Sequence, residues 1–419
     1  SVLQVPSLAI HGGPMAVTLD QTEANRWPIL TAEDEAAVID VIRDGDLSYH
    51  KVTRELESDY RRRIGRKHAI ATANGTLALL AAFHALNLAP RDEVLVPSAT
   101  FWASVLPMLW VGAVPVFCNV EGERFGLDPI DVERRITERT RAMVVVHLWG
   151  LPAKMTQLRD VARRYDLRIV EDASHALGAV SRGVPCGAFG DIAVFSLQSS
   201  KLAPAGEGGI FLTDSDDYWK RATCLGDIAR ISELRSTEHR FAATSFGIKT
   251  RISPLSSAIG RVQLRHLDKR NEQRRMNIER LNVRLEELGI ETFPGPSHLD
   301  RVYHANMVRY QPGRFGDLPL TDLLAALAAE GCVLSELRYP FLHQQPFFTE
   351  GHWKAVARLA AGNCASMVNS DDLSGSVRCL GNIMRLPTFP SATPALLEQY
   401  AHAFEKVQTW AINRGGEVS

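Results

Sequence analysis

The sequence contains few cysteines, and their spacing does not suggest a metal site or a disulfide framework. Six cysteines are scattered over 419 residues, and none forms a CxxC pair. Such a distribution is typical of reduced thiols, so it argues against a zinc ribbon and against a small disulfide-rich secreted domain. We therefore expect a cytoplasmic protein without a bound metal.

The sequence also lacks a long apolar run and an excess of charge of either sign. No segment approaches the roughly 20 apolar residues of a membrane helix, and no basic-then-apolar signal opens the chain. Lys and Arg number 47 against 48 Asp and Glu, which gives a net charge of -1. This balance favours neither nucleic acid nor a membrane as a partner. With 45% hydrophobic residues, the composition predicts a soluble globular protein with a sizeable core.

A dinucleotide-binding fingerprint is missing as well. No GxGxxG motif follows an early predicted strand, and the glycine-rich residues 206–209 (GEGG) have a different spacing. A nicotinamide-dependent dehydrogenase is therefore a weak interpretation. The chain has no internal repeat and no low-complexity segment.

Short apolar runs that alternate with helical patterns dominate residues 29–265. Strand, helix and strand follow one another in this region, which predicts an α/β domain with a mostly parallel sheet between layers of helices. Residues 1–28 are rich in Pro and Gly and predict an arm that lies over the body. Residues 266–419 lose the alternation and predict a linking helix and a smaller domain. The linking helix should be one long amphipathic helix over 263–288.

Polar side chains follow two of the predicted strands. Asp172 follows the apolar run 167–170, and Ser196 and Lys201 follow the run that begins at residue 192. Ligands of open α/β sheets bind outside the carboxyl ends of the strands. An acid, a hydroxyl and a lysine suit pyridoxal 5'-phosphate, because the amine forms a Schiff base, the carboxylate pairs with the pyridinium nitrogen and the hydroxyl helps to hold the phosphate. The plainer interpretation of Lys201 alone is a solvated loop lysine.

Three segments in this part of the chain resemble one family. Residues 171–179 (EDASHALGA), 195–201 (FSLQSSK) and 206–209 (GEGG) resemble the DegT/DnrJ/EryC1/StrS family of pyridoxal phosphate-dependent aminotransferases. The resemblance extends through segments between residues 74 and 386. It implies fold type I, in which a large domain with a mostly parallel sheet is followed by a smaller C-terminal α+β domain. It also implies a transaminase in which Lys201 and Asp172 are the catalytic residues.

The resemblance implies further cofactor contacts. Gly75 and Thr76 match the residues that hold the phosphate, at the start of a strongly apolar helix, although Asn and Thr there also suit an ordinary helix cap. Phe101 matches the aromatic residue that stacks on the cofactor ring, Trp102 is an alternative, and either could be a core aromatic. His175 matches the position near the phenolic oxygen of the ring.

Residues 247–253 depart from the family pattern. The family has a Gly-x-Asn-x-Arg-x-Ser run whose Asn reaches the cofactor phosphate of the neighbouring subunit, whereas this chain has Lys249 at that position. A lysine can still donate to a phosphate as a point charge. The resemblance thus implies an obligate homodimer with shared active sites. The plainer interpretation is that Lys249 and Arg251 are solvent-facing charges at the start of a helix.

The resemblance also indicates the reaction. It implies transfer of an amino group from glutamine or glutamate to a cyclic ketone of cyclitol or sugar type in natural-product biosynthesis. The HGGP opening at 11–14 and the HLWG segment at 147–150 favour a cyclitol ketone, although His147 could be a satisfied core histidine. Near the mouth of the site, Arg338 and His343 are candidate substrate contacts or exposed loop residues.

Three alternatives stay open at this point. One is a nucleotide-sugar aminotransferase, and another is an enzyme of the same family that carries out elimination or ring chemistry. The sugar dehydratases of the family have His where this chain has Lys201. The lysine therefore argues against a dehydratase, but not against the other elimination or ring-forming enzymes of the family. A non-catalytic scaffold would not need the intact set of Asp172, Ser196 and Lys201.

Overall fold

A computed structural model describes residues 6–337, 339–358 and 372–414 of the chain. The α-helices, numbered in chain order, are α1 Ala32–Asp44, α2 Val52–Ile64, α3 Gly75–Ala85, α4 Pro129–Arg134, α5 Met155–Arg164, α6 Asp216–Gly226, α7 Ile228–Glu233, α8 Pro254–Arg265, α9 Leu267–Glu287, α10 Leu320–Ala329, α11 Pro346–Thr349, α12 Trp353–Val356, α13 Ser374–Cys379 and α14 Pro394–Arg414. The strands are β1 His68–Thr72, β2 Glu93–Pro97, β3 Val114–Cys118, β4 Thr140–Val146, β5 Arg168–Asp172, β6 Val180–Ser181, β7 Val184–Pro185, β8 Ile192–Ser196, β9 Gly209–Thr213, β10 Leu299–Asp300, β11 Asn306–Arg309, β12 Ser335–Glu336 and β13 Ile383–Leu386.

The central sheet has seven strands in the order β1-β9-β8-β5-β4-β2-β3. β9 pairs antiparallel with both of its neighbours, and the pairs from β8 to β3 are all parallel. The strands are buried nearly throughout, as parallel strands covered on both faces require. The expectation of a mostly parallel α/β domain is therefore confirmed. The carboxyl ends of β5 and β8 lie side by side at one edge of this sheet.

Helix boundaries follow local capping chemistry. Thr31 caps α1 through a capping box with Asp34, which explains the acidic start read from the sequence. Asn74 caps α3, and its Oδ1 accepts from the Leu77 N–H at 2.9 Å. The long helix expected over 263–288 is confirmed as α9, Leu267–Glu287, but residues 263–265 belong to the end of α8. The chain forms α8 and α9, which meet at His266.

The second half of the chain builds a smaller unit around the antiparallel sheet β11-β13-β12. Its apolar core combines α9, α10 and α14 with Leu8 and Val17 of the amino-terminal segment. The buried Glu330 carboxylate holds that segment, because it accepts from the backbone N–H of Ala9 at 2.8 Å and from that of Ala16 at 3.0 Å. We retain the boundaries 1–28, 29–265 and 266–419 as a proposal.

Two further expectations were that the chain has no membrane-spanning helix and that its cysteines are not paired in disulfides. Within the described residues, no helix is both long enough and apolar enough to cross a membrane. Five of the six cysteines belong to the described part of the chain, and all five are free thiols. Cys364 lies outside the described residues.

Candidate active site

A cavity of about 470 Å³ opens at the carboxyl ends of β5 and β8. It lies where the topology of the sheet predicts a ligand site. Seven of the eight side chains predicted from the sequence line it: Gly75, Thr76, Phe101, Asp172, His175, Ser196 and Lys201. The sheet therefore brings together residues that are up to 126 positions apart in the chain (from 75 to 201).

Asp172 is the buried acid of this cavity. It ends β5 and is only 6% exposed. Its Oδ2 accepts from the Ser104 hydroxyl at 2.6 Å, and its Oδ1 accepts from the Ser174 N–H at 3.2 Å. These bonds fix the orientation of the carboxylate.

The start of α3 and the end of β8 form a narrow cradle. A Cβ at Gly75 would lie 2.9 Å from the Ser196 Cβ, so only glycine allows this approach. A Cβ at Gly209 would lie 2.4 Å from the Asn74 carbonyl oxygen, which explains the end of the GEGG segment in the same way. The first N–H groups of α3 have no partner within the helix and face the cavity beside the Ser196 and Thr76 hydroxyls. Such an arrangement suits an anion.

Lys201 follows β8 in a tight turn and is partly buried. Its N–H donates to the Gln198 carbonyl at 2.8 Å. Its own carbonyl accepts from the Trp27 indole N–H at 3.0 Å. The main chain of the lysine is thus held from both sides, by its own turn and by the end of the amino-terminal segment.

His175 and two aromatic residues complete the cavity wall. The Nδ1 atom of His175 accepts from the Trp149 N–H at 3.3 Å, and its Nε2 atom is 3.4 Å from the Tyr339 hydroxyl. Phe101 and Trp102 are 40% and 44% exposed at the rim, with ring centroids 5.1 Å apart. Neither is a core aromatic, and both line the cavity.

Three candidates lie elsewhere. Lys249 is exposed and does not line the cavity of its own chain, although the Ala73 N–H donates to the neighbouring Thr250 carbonyl at 2.7 Å. His343 is buried, its ring packs 5.9 Å from that of Phe117, and it is absent from the cavity lining, so the expected exposed position is wrong. Arg338 lies outside the described residues.

His147 is a core histidine, as the plainer interpretation held. It is completely buried, and its Nε2 lies 3.0 Å from Glu171 Oε2. Burial alone would raise the pKa of Glu171, but His147 and the backbone N–H groups of Gly190 and Gly187 bond to it and lower that pKa overall. This pair lies behind the cavity and braces the ends of β4 and β5.

The sequence did not indicate several residues of the site. Ser104 donates a hydrogen bond to Asp172, and the Trp149 N–H donates one to His175. Both contacts join residues that are far apart in the sequence, and no local motif indicates them. Trp149 has a left-handed backbone (φ 57°), which a non-glycine residue adopts only where tertiary contacts enforce it. The HLWG segment was recognised, but its role in holding His175 depends on this turn.

Comparisons with known proteins agree with the geometry. The model of the DegT/DnrJ/EryC1/StrS aminotransferase family matches residues 28–376. The L-glutamine:2-deoxy-scyllo-inosose aminotransferase of Streptomyces fradiae is 36% identical over 346 residues, which cover 78% of this chain and 79% of the relative. The L-glutamine:scyllo-inosose aminotransferase of Streptomyces griseus is 35% identical over 342 residues, 77% of this chain and 79% of the relative.

A solved structure extends this agreement to the fold. The S. venezuelae protein DesV, solved in complex with a ketimine intermediate, superposes with a TM-score of 0.76 at 28% identity, over 92% of this chain and 98% of DesV. The type I fold of pyridoxal phosphate-dependent aminotransferases is therefore confirmed. By its sequence match and by its fold, the chain belongs to the DegT/DnrJ/EryC1/StrS aminotransferase family.

Proposed function

We propose that this aminotransferase uses pyridoxal phosphate to move the amino group of glutamine to the ketone of a cyclitol of the scyllo-inosose type. The observation that carries the proposal is the convergence of Lys201, Asp172 and the Gly75–Ser196 cradle on one cavity. The names of the two Streptomyces relatives support glutamine as the donor and an inosose as the acceptor. Membership of the DegT/DnrJ/EryC1/StrS aminotransferase family supports a role in natural-product biosynthesis.

The described residues fit the cofactor at three points. The cradle between α3 and Ser196 suits the phosphate, because it offers unpaired N–H groups and two hydroxyls and because Gly75 leaves room for close approach. Asp172 offers a buried carboxylate for the ring nitrogen. His175 offers a ring N–H on the side of the cavity toward Tyr339. Phe101 or Trp102 could cover the ring from the rim.

These residues account for the chemistry of amino transfer. When bound, pyridoxal phosphate supplies an electron sink that makes the α-proton of the donor acidic. Lys201 Nζ takes this proton and returns it, and must be neutral to do so. The Asp172 carboxylate stabilises positive charge at the ring nitrogen. Tyr339 and the two rim aromatics reduce the access of water to the reacting atoms.

A product assay tests the proposed substrates. The protein with pyridoxal phosphate and glutamine is expected to convert scyllo-inosose to an amine, which mass spectrometry detects. The glutamine carries 15N in its α-amino group and not in its amide, and this 15N should appear in the product. A nucleotide-linked keto sugar serves as the competing acceptor. Turnover of the nucleotide sugar in preference to the inosose would contradict the cyclitol assignment, and loss of water without amine transfer would favour elimination chemistry.

We further propose an obligate, cytoplasmic homodimer whose active sites are shared, with Lys249 reaching the partner's phosphate. Lys249 is exposed and lies outside its own cavity, so a role at a phosphate requires another chain. Large apolar side chains are exposed in this part of the chain, since Phe246 is 51% exposed and Tyr49, whose ring centroid lies 4.3 Å from Arg251 Cζ, is 55% exposed. Large exposed apolar side chains near a functional loop are typical of an interface. Twofold symmetry then completes two equivalent sites.

Complementation between inactive chains tests the shared site. Mixing Lys201→Ala with Lys249→Glu chains is expected to restore about half of normal activity per mixed dimer, because one site carries both lesions and the other carries neither. The matched control mixes Lys201→Ala with Asp172→Asn, where both lesions lie in the same cavity and every mixed site stays damaged. If the first mixture recovers no more activity than the control despite proven subunit exchange, the shared site is wrong.

A further inference from the structure

Two histidines from distant parts of the chain stack at the edge of the active-site cavity. The rings of His175 and His304 have centroids 4.0 Å apart and planes 20° apart. His175 follows β5 and lines the cavity, whereas His304 precedes β11 and lies behind it. On the cavity side, the Tyr339 ring is nearly parallel to His175, at a centroid distance of 6.0 Å and an angle of 16°. His175 is therefore stacked face to face with His304, and the Tyr339 hydroxyl lies at its Nε2 edge.

The hydrogen bonds of His175 fix its proton. Because the backbone N–H of Trp149 donates to Nδ1 at 3.3 Å, Nδ1 is an acceptor and the ring proton of the neutral imidazole lies on Nε2. Nε2 faces Tyr339 and the cavity. The Trp149 N–H reaches Nδ1 from a turn in which Gly150 has no room for a side chain, since a Cβ there would lie 2.1 Å from the Val302 carbonyl oxygen. A small rotation of the His175 ring would break this bond.

The environment of His304 keeps that ring uncharged. Burial lowers its pKa well below the ordinary value, and the nearby His175, Lys201, Arg274 and Arg385 lower it further. Tyr339 is a further titratable group near this pair, and its hydroxyl faces His175. The Nδ1 atom of His304 is buried and has no hydrogen-bond partner among the described residues. His304 thus offers His175 a flat neutral surface.

We propose that His304 is a positioning residue that acts through His175: its ring, stacked on His175, holds the Nε2–H of His175 toward the cavity. One part of this inference rests on the proposed function, namely that the Nε2–H of His175 donates to the phenolic oxygen of the cofactor. The stacking itself concerns the protein alone. Aromatic pairs of this kind favour one ring orientation, and a misplaced donor at a reacting centre slows the chemical step.

Two apolar variants separate stacking from space filling. His304→Phe keeps a flat ring, and His304→Leu removes it. The exposed His402 on α14, changed to Leu, is the matched control. The readout is the tautomer of His175 in cofactor-free protein labelled with 15N-histidine, measured by NMR and assigned with a His175→Asn variant. This measurement needs no turnover, so it remains decisive even if the proposed reaction is wrong.

We expect a single Nε2–H tautomer in the wild type, in His304→Phe and in the control, and a mixture of tautomers in His304→Leu. In the loaded enzyme, kcat should fall about tenfold or more in His304→Leu with the KM for the donor nearly unchanged, and His304→Phe should stay within about threefold of the wild type. A single tautomer in His304→Leu would overturn the proposal. So would loss of the single tautomer in folded His304→Phe, since that variant alone tests whether a flat ring is sufficient.

Discussion

Replacing Lys201 with alanine is expected to abolish amino transfer, by at least about a thousandfold, and to leave a folded protein. The variant removes the amine that the end of β8 places in the cavity, and with it both the covalent link to the cofactor and the proton carrier. The bonds that hold this turn, to the Gln198 carbonyl and from Trp27, use the main chain of residue 201 and survive the substitution. The loss should therefore be chemical and not structural.

Borohydride reduction followed by peptide mass mapping measures the covalent link directly. The wild type should carry reduced cofactor on Lys201, and Lys201→Ala should carry none. Lys269→Ala, at an exposed position on α9, is the matched control and should behave as the wild type does. Reduced cofactor attached to another lysine of the Lys201→Ala variant would contradict the assignment, and Lys249 would be examined first.

Replacing Asp172 with asparagine is expected to slow the reaction by about 30- to 150-fold while most cofactor binding remains. The change removes the buried charge beside the ring nitrogen, and loss of a charge-assisted bond costs about 2–3 kcal/mol. Asparagine preserves the shape of the side chain and can still accept from Ser104. The cradle between Gly75 and Ser196 is untouched by this change.

The single-turnover rate with α-deuterated and ordinary glutamine measures this effect at the proton-transfer step. Asp172→Asn should show the slowed step and an enlarged isotope effect. Ser104→Ala is the matched comparison, because it removes a hydrogen bond to the carboxylate but keeps the charge, and its loss should be clearly smaller. Near-normal turnover of Asp172→Asn would show that another group faces the ring nitrogen.

The sequence predicted the parts of the site that depend on strand ends. Asp172 and Ser196 follow buried apolar runs, and the rule that ligands bind at the carboxyl ends of parallel strands brings these runs together. The small-residue loop before α3 was predicted for a similar reason, because a helix start leaves N–H groups unpaired. These inferences use only local patterns and the general geometry of a parallel sheet.

The contacts that orient the site were not predictable in this way. The Trp27–Lys201 bond and the His175–His304 stack join residues 174 and 129 positions apart, and either residue alone has no distinctive pattern. The break at His266 was missed because amphipathic spacing indicates helix but is insensitive to an interruption of one residue. Lys249 shows a further limit, because it is exposed and does not line the cavity of its own chain, and the contact proposed for it with a second chain stays a prediction.

The absorption spectrum before and after addition of glutamine tests the central claim most directly. The protein loaded with pyridoxal phosphate should show the visible band of a lysine-linked cofactor, and glutamine should convert it to the spectrum of the amine form, with recovery when scyllo-inosose is added. Lys201→Ala should show neither the band nor the conversion. A loaded wild-type protein whose spectrum is unchanged by glutamine, by glutamate and by the ketone would contradict the account.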